Sequence, residues 1–512
     1  MPKEETVFVF PATSAQQRFW LLDQLRPEGN PALNMSVPLR WTGPLELAVL
    51  QRAWQEVVRR HEALRTIFKI ERGELQQVIL PDLEVYLPFS EDSESVLSLA
   101  QNDARQTFDL LVGPLFRARI IRLAPSKHLF LLTLHHIISD GWSNGVIARD
   151  LCAFYSSFLS GRPSVLPELT LQFPDFAEWQ AQRLANKDFE AQLAYWQAQL
   201  EGSPASLDLC DLGGLSSQPE TGAAAVSITL EPHLVQAAIT LAAAERASPF
   251  MIFLAAFQIL LHRYTREVDF LITSPSANRD RPEFQSLVGL FVNPLILRAD
   301  LRGDPTVGEF LERVQRTALD AFAHQDIPFE SLLDEFNTAK LQANFHYDAG
   351  WQPPSDLPDD VVVDLVSVRT EETIYELSAT VTQEGGGGMR VEFEYDRAVF
   401  DAQTIRRMLD HYEQLLKSAV ADPAERVSSL SMLTPNEQSR FGASSVPARP
   451  TFDLREILAT RIMKRADAVV ARHGRREFSC AELLAQLDGG PGAVSNLQQA
   501  ASLIAQWRAR LD

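Results

Sequence analysis

Leu134-His-His-Ile-Ile-Ser-Asp-Gly-Trp-Ser143 ends one apolar segment and opens another. The residues before it, His128-Leu-Phe-Leu-Leu-Thr-Leu134, are nearly all apolar. This is the pattern of a strand covered on both faces. With Phe116-Arg-Ala-Arg-Ile-Ile-Arg-Leu123 it predicts a hairpin over 115–134. Side chains alternate along a strand, so His135 and His136 should point to opposite faces, and only one can face a given cavity. Gly141 permits a tight turn and close backbone approach. A helix starting near Ser143 would aim N–H groups and partial positive charge at the same place. A neutral imidazole beside preorganised donors is what acyl transfer needs. A lone histidine is ordinarily a packed core residue. Two histidines, an aspartate and a glycine at this spacing favour a site instead. No third ligand stands at suitable spacing, so a metal is not expected.

Outward from this stretch, periodicity supplies the elements. An amphipathic run from Ser14 to Leu25 predicts a helix, with Ser14 and Gln17 at capping-box spacing. Leu47, Leu50, Trp54, Val57 and Val58 fall on one helical face and predict a second helix over 45–61. Residues 64–79 read as two strands turning at Arg72-Gly73. A helix over 143–159 and a Pro-rich crossing segment over 162–174 follow. A second half then begins near Phe189, with a Gly/Ser/Pro-rich loop over 202–223. Apolar helices over 233–264, further strands to about Tyr395 and a helix over 402–420 complete it. Strands and covering helices in two similar halves indicate an α+β protein. Gly385-Gly-Gly-Gly388 reads as a hairpin tip. The polar, proline-bearing stretch 434–450 reads as a linker. Beyond it, residues 467–478 read as a hairpin, and Ser479 and Glu482 have capping-box spacing for another helix. These last 60 or so residues are few for an independent core.

The whole composition narrows the function. The chain has 512 residues, and Lys+Arg (47) against Asp+Glu (67) leaves a net charge of −20. Nucleic-acid binding needs a basic footprint, so it is not expected. Cys152, Cys210 and Cys480 are odd in number and widely spaced, without a CxxC pair. That fits a reducing, cytoplasmic setting better than a disulfide framework or a zinc site. The acidic first residues lack the apolar core of a secretory signal. No apolar run approaches the ~20 residues of a membrane span.

The HHxxxDG stretch resembles the active-site signature of non-ribosomal peptide synthetase condensation domains. Other segments extend the resemblance in the family's order. Ser14-Ala-Gln-Gln-Arg-Phe-Trp-Leu21 resembles the first core motif, and Arg60-His-Glu-Ala-Leu-Arg-Thr-Ile-Phe68 the second. Phe173-Pro-Asp-Phe-Ala-Glu-Trp179 resembles the fourth, Val288-Gly-Leu-Phe-Val-Asn-Pro294 the fifth and His324-Gln-Asp-Ile-Pro-Phe-Glu330 the sixth. The similarity covers about residues 8–437.

The resemblance implies two chloramphenicol-acetyltransferase-like lobes in a V, residues 1–180 and 181–435, around a central tunnel. A linker over 436–450 would follow. No bound cofactor is implied: the acyl substrates ride on the 4'-phosphopantetheine arms of a donor carrier protein and, we expect, an acceptor carrier. The working unit is expected to be a monomer. His136 matches the family's active-site histidine. Orienting the acceptor amine, deprotonating it and stabilising the tetrahedral intermediate are all consistent with that position. Gly141 would line the reaction centre, with His135 supporting the loop. Asp140 matches a mainly structural residue, and Arg279 stands where the family places its partner. Trp142, Ser143 and Asn293 are candidates to line the tunnel, and Gln325 to shape its floor. Trp20, Phe19, Leu64, Phe68 and Cys152 read as packing, and Arg18 and Arg65 as buried hydrogen-bond donors.

Three departures stand out. The seventh motif is faint in Phe336-Asn-Thr-Ala-Lys340. The strand motif near the second-lobe crossover has become Tyr375-Glu-Leu377. The entry to the second lobe is Leu209-Cys-Asp-Leu-Gly-Gly214. They put amino-acyl substrates in question and keep an oxygen nucleophile, giving an ester, in play. Residues 451–512 resemble the beginning of an adenylation domain without its phosphate-binding motifs, so no ATP chemistry is expected. We expect a free-standing enzyme keeping that vestige. The alternatives are a coenzyme-A-dependent acyltransferase of the same fold, an epimerisation domain and a non-catalytic carrier-docking module.

Overall fold

A computed structural model describes residues 7–443, apart from 27–28, 93–94, 165, 188, 205–206, 208, 210–221, 336–340, 349, 351–356, 367–372 and 385–386. Beyond these it describes only the strand segments 452–453, 469–473, 476–479 and 493–494. Met1–Met432 form one compact unit and Leu433–Asp512 a second.

The first half opens with β1 (Phe8–Pro11) and α1 (Ser14–Gln24). The helix cap lies one residue earlier than the sequence spacing predicts. Thr13 accepts the Gln16 N–H, and the Gln16 side chain accepts the Thr13 N–H. β2 (Asn34–Thr42), α2 (Leu47–Arg60), β3 (Thr66–Glu71) and β4 (Glu74–Ile79) follow. Arg72 and Gly73 both have positive φ, 54° and 88°. This is the two-residue turn that matches strand twist. After β5 (Phe89–Glu91) and α3 (Val96–Ala104) come β6 (Phe116–Ala124), β7 (Lys127–His135) and α4 (Gly141–Ser160). α4 starts at Gly141 rather than Ser143 because Asp140 caps it, and Gly161 ends it at φ 66°.

α5 (Phe173–Ala185) follows, with Phe173 and Phe176 in the first core, and the second half contains α6 (Glu190–Leu200), β8 (Ala223–Leu230), α7 (Pro232–Ala244) and α8 (Pro249–Thr265). These lead to β9 (Asp269–Ser276), β10 (Asn293–Asp300), α9 (Val307–Ala323), α10 (Phe329–Glu335) and β11 (Ala343–Asp348). β12 (Val362–Leu365), β13 (Leu377–Gln383), β14 (Met389–Asp396) and α11 (Ala402–Ala421) finish it. β13 and β14 pair antiparallel across the glycine run.

Two large sheets organise the unit. The first has the order β12-β2-β7-β6-β5 and the second β10-β9-β11-β13-β14-β8. β7 is buried along its length after Lys127. Phe130, Leu132 and Leu134 enter the core shared with α2 and α4, while Leu129 and Leu131 pack with Leu99 and Ala100 of α3. The continuous apolar run is thus explained by two covered faces.

Two divisions read from the sequence need correction. β12 belongs to the second half of the chain but pairs with β2, Val362 opposite Thr42 and Leu365 opposite Leu39. Phe284, Leu287, Val288, Leu290 and Phe291 also pack into the first core. Backbone pairing and apolar burial, rather than chain order, set the boundary. Second, the linker over 436–450 begins as a helix, Pro435–Ala443. Thr434 accepts the Glu437 N–H, and Glu437 accepts the Thr434 N–H. Thr434-Pro-Asn-Glu437 is a capping box with proline at the first helical position. The predicted hairpin near 467–478 is present as paired strands Val469–His473 and Arg476–Ser479. The helix after Ser479, the Phe336–Lys340 motif and most of the 202–223 loop lie outside the described residues.

α7 and α8 together are apolar enough for a bent span, but they meet at 104°, and Phe253, Leu254, Phe257 and Leu260 of α8 are core residues. No single helix among the described residues is long and apolar enough to cross a membrane.

Candidate active site

His136 opens a short 3-10 turn, His136–Ile138, between β7 and α4. Its Nδ1 lies 2.8 Å from the Ser139 carbonyl oxygen. A carbonyl can only accept, so Nδ1 carries the proton. In the neutral ring the lone pair is then on Nε2. No described residue bonds that nitrogen. The ring is half-buried and stacks on Phe19 of α1, centroids 4.7 Å apart. Burial pushes the His136 pKa below the ordinary 6.5. The imidazole is therefore neutral, with one open acceptor, near pH 7.

His135 has the opposite arrangement. Its Nδ1 accepts the Ile137 N–H at 3.1 Å, and its Nε2 lies 3.7 Å from Asp23 Oδ1. The ring is fully buried, edge-on to Phe108. Both histidines thus use Nδ1, His136 as a donor to a carbonyl and His135 as an acceptor from an N–H.

Gly141 is exposed at the first turn of α4, and a Cβ there would meet nothing within 4 Å. The N–H groups of Gly141 and Trp142 have no hydrogen-bond partner among the described residues. The Ser143 N–H is taken by Asp140 at 2.8 Å.

Asp140 and Arg279 form a buried knot. Asp140 Oδ1 accepts from Ser143 Oγ (2.7 Å) and Arg279 Nη2 (3.1 Å). Its Oδ2 accepts the N–H groups of Phe291 (3.0 Å) and Val292 (3.2 Å). Arg279 Nη1 donates to the carbonyls of Phe284 (2.6 Å) and Leu287 (2.7 Å), and its guanidinium lies 4.1 Å from the Phe291 ring centroid. Burial lowers the Arg279 pKa, and the Asp140 charge opposes that shift. The knot fastens the N-terminus of α4 to the loop between β9 and β10.

Two lining candidates are corrected here. Ser143 is fully buried inside the knot, its Oγ shared among Asp140, Arg279 and the Gly289 N–H. Asn293 spends its whole amide on backbone: Nδ2 donates to Gln325 O and Ile327 O, both at 2.8 Å, and Oδ1 accepts the Phe329 N–H. Neither has a polar group left for a substrate. Trp142 is exposed and donates Nε1–H to Gln285 O at 2.9 Å. The Gln325 side chain accepts from Ser276 Oγ. Arg18 is half-buried, and its buried Nε pairs with Glu330 of α10 at 3.1 Å. Arg65 is half-buried and donates to the Leu80, Pro81, Val58 and Arg59 carbonyls. Burial pushes the Cys152 thiol up to about 12, so it is unreactive packing. No group of three or more His, Cys, Asp or Glu side chains among the described residues could hold a metal ion.

Residue types alone do not reveal Ser139, whose carbonyl fixes the His136 proton, or the Phe291 and Val292 N–H groups. Backbone groups leave no residue-type signal. Phe19 is legible in the sequence only as core.

The family model described as "Condensation domain" matches residues 8–441. This chain belongs to the condensation-domain family. Condensation domains are acyltransferases that form amide bonds in non-ribosomal peptide synthesis. The chain is 36% identical to a linear gramicidin synthase of Brevibacillus parabrevis over 84% of its own length and 9% of that protein. It therefore spans only a small part of the curated relatives it matches. Among solved structures, the X-domain from teicoplanin biosynthesis is 25% identical, with TM-score 0.72 over 83% of this chain and 97% of that one. The condensation domain of the monacolin K polyketide synthase MokA has TM-score 0.74 at 22% identity, over 82% of this chain and all of that one, and supports the fold.

Proposed function

We propose that this condensation domain moves an acyl group from a thioester on a donor carrier's phosphopantetheine arm to an amine held by an acceptor carrier, in a channel between the two lobes. His136 is the base. The acceptor nitrogen attacks the thioester carbonyl, forming the C–N bond. His136 Nε2 takes the proton that the nitrogen sheds. The C–S bond then breaks, and the same proton can pass to the departing thiolate. Gly141 leaves room for the reacting carbonyl, and the first-turn N–H groups of α4 face developing negative charge. Asp140 and Arg279 hold the joint on which this geometry depends. The observation that carries the reading is the pinned Nδ1–H of His136, which leaves Nε2 as the open acceptor.

Acyl-loaded donor carrier mixed with amine-loaded acceptor carrier tests it by intact-protein mass spectrometry. The acyl mass should leave the donor and appear on the acceptor only when the domain is present. Carrier binding without transfer would instead favour a docking role. The likeness to the X-domain keeps that outcome worth reading, because one solved neighbour is a complex of that X-domain with OxyB.

A further inference from the structure

Helix α1 departs from the ordinary pattern of a core-facing helix. Its Leu21 is 60% exposed, and Leu25 at its C-terminal end is 70% exposed. The side chains it buries are Gln16, Phe19 and Asp23. They stand at i, i+3 and i+7, on one face. Two of the three are polar, and burying an amide or a carboxylate is costly without partners. Phe19 enters the core and Ala15, Trp20 and Leu22 pack against it, but apolar burial alone does not explain why Gln16 and Asp23 are buried; their partners do.

Each buried side chain meets a different part of the turn that carries His136. Gln16 Nε2 donates to the Ile137 carbonyl at 3.2 Å and to Gln77 Oε1 at 3.0 Å. Phe19 stacks on the His136 ring. Asp23 faces His135 Nε2, and His135 Nδ1 accepts the Ile137 N–H. The Ile137 carbonyl is thus held directly by α1, and its N–H by His135, whose Nε2 lies 3.7 Å from the Asp23 carboxylate, close enough for electrostatic attraction but beyond hydrogen-bond distance. His136 precedes Ile137, and Ser139, whose carbonyl fixes the His136 proton, follows two residues later. Asp23 is itself anchored by the Asn30 N–H at 2.9 Å.

We propose that α1 is the positioning element of the site, and that Asp23, acting through His135, is a positioning residue that sets the tautomer and direction of the His136 imidazole. An acceptor at Asp23 favours the His135 tautomer with its proton on Nε2. That leaves His135 Nδ1 free to accept from Ile137, which holds the 3-10 turn in place. Arg18 pairs with Glu330 and lies 5.4 Å from the Phe329 ring centroid, so α10 of the second half braces the same helix.

The proposal rests on His136 as the base, so its test includes a readout that needs no substrate. In protein labelled with 15N-histidine, wild-type His136 should show a protonated Nδ1 and a bare Nε2. Asp23→Leu should give a mixture of tautomers at His136. Its kcat should fall roughly 100-fold, the cost of displacing a catalytic group by about 1 Å, with KM for the donor carrier unchanged. Asp23→Asn keeps an acceptor oxygen and should stay within a few-fold of wild type. If Asp23→Leu does not fold, His135→Asn and His135→Leu replace it. The asparagine oxygen can still accept the Ile137 N–H, so only the leucine variant should disturb His136. A folded Asp23→Leu or His135→Leu with the wild-type His136 tautomer would overturn the proposal, as would Asp23→Asn impaired as badly as Asp23→Leu. Wild-type tautomers with no acyl transfer by any variant would instead count against His136 as the base.

Discussion

His136 and Asp140 stand four residues apart in one motif and are held in opposite ways. His136 is half-buried, makes one hydrogen bond through its ring and keeps Nε2 open. Asp140 is fully buried, and both of its oxygens accept from several donors, two of them backbone N–H groups about 150 residues away. A group that must exchange a proton needs an empty position. A group that fastens two halves of a chain needs none. One short stretch therefore supplies chemistry at one end and architecture at the other.

The largest break in this contrast should come from Arg279→Ala. It strips Asp140 of its counter-charge and frees the Phe284 and Leu287 carbonyls. Removing one partner of a buried pair costs about 3–5 kcal/mol. Denaturant unfolding should show that loss, with activity falling in step with the folded fraction. Unchanged stability would mean that the knot does not fasten the halves.

Two glycines sharpen the comparison. Gly141→Ala puts a methyl group into open space at a helical position, where alanine is at least as favourable as glycine. It should fold normally yet transfer acyl groups roughly 100-fold more slowly, if the reacting carbonyl occupies that space. Gly289→Ala should do the reverse. Its Cβ would lie 2.1 Å from Phe173 Cδ2, and Phe173 is wedged against Phe176 and Phe291. Overpacking of this kind costs about 1–3 kcal/mol. Equal effects of the two substitutions on rate and stability would dissolve the distinction.

The smallest effect is in pH. Burial lowers the pKa of His61 and His136 from 6.5, although Asp150 pulls His61 partly back. Their unfolded forms take up protons near 6.5, whereas the folded forms resist. Their contribution to stability is thus full above about pH 7 and is lost as pH falls below 6.5, by up to about 1.4 kcal/mol per pH unit for each group. The Asp150 carboxyl is shifted below 3.8, because the His61 and Arg149 contacts outweigh burial, so its share is lost only in stronger acid. Equilibrium unfolding at pH 8, 7, 6 and 5.5 checks this. A flat profile would mean that neither histidine is held neutral.

What the sequence makes legible follows from range. The two-face burial of β7, the Arg72-Gly73 turn and the main helices depend on neighbours within a few residues, and periodicity reveals them. The Asp140–Arg279 pair is legible only through the family resemblance. β12 joining β2 joins residues more than 300 apart, and no local pattern encodes it. Ser143 and Asn293 are misread as lining for the same reason, since their partners at Gly289, Arg279, Gln325 and Phe329 are distant in sequence. The helix after Thr434 does carry a local signal, which its prolines and polarity mask. α1 hides its role differently. Hydrophobic periodicity looks for an apolar stripe, and the working face of α1 carries Gln16 and Asp23.

The most direct test of the central claim is the single-turnover rate of acyl transfer between loaded carriers, compared for wild type and His136→Ala at equal folded fraction. The account predicts that the variant unfolds like wild type and transfers roughly 100- to 10,000-fold more slowly, the usual contribution of a positioned base. A folded His136→Ala that transfers at the wild-type rate would contradict it.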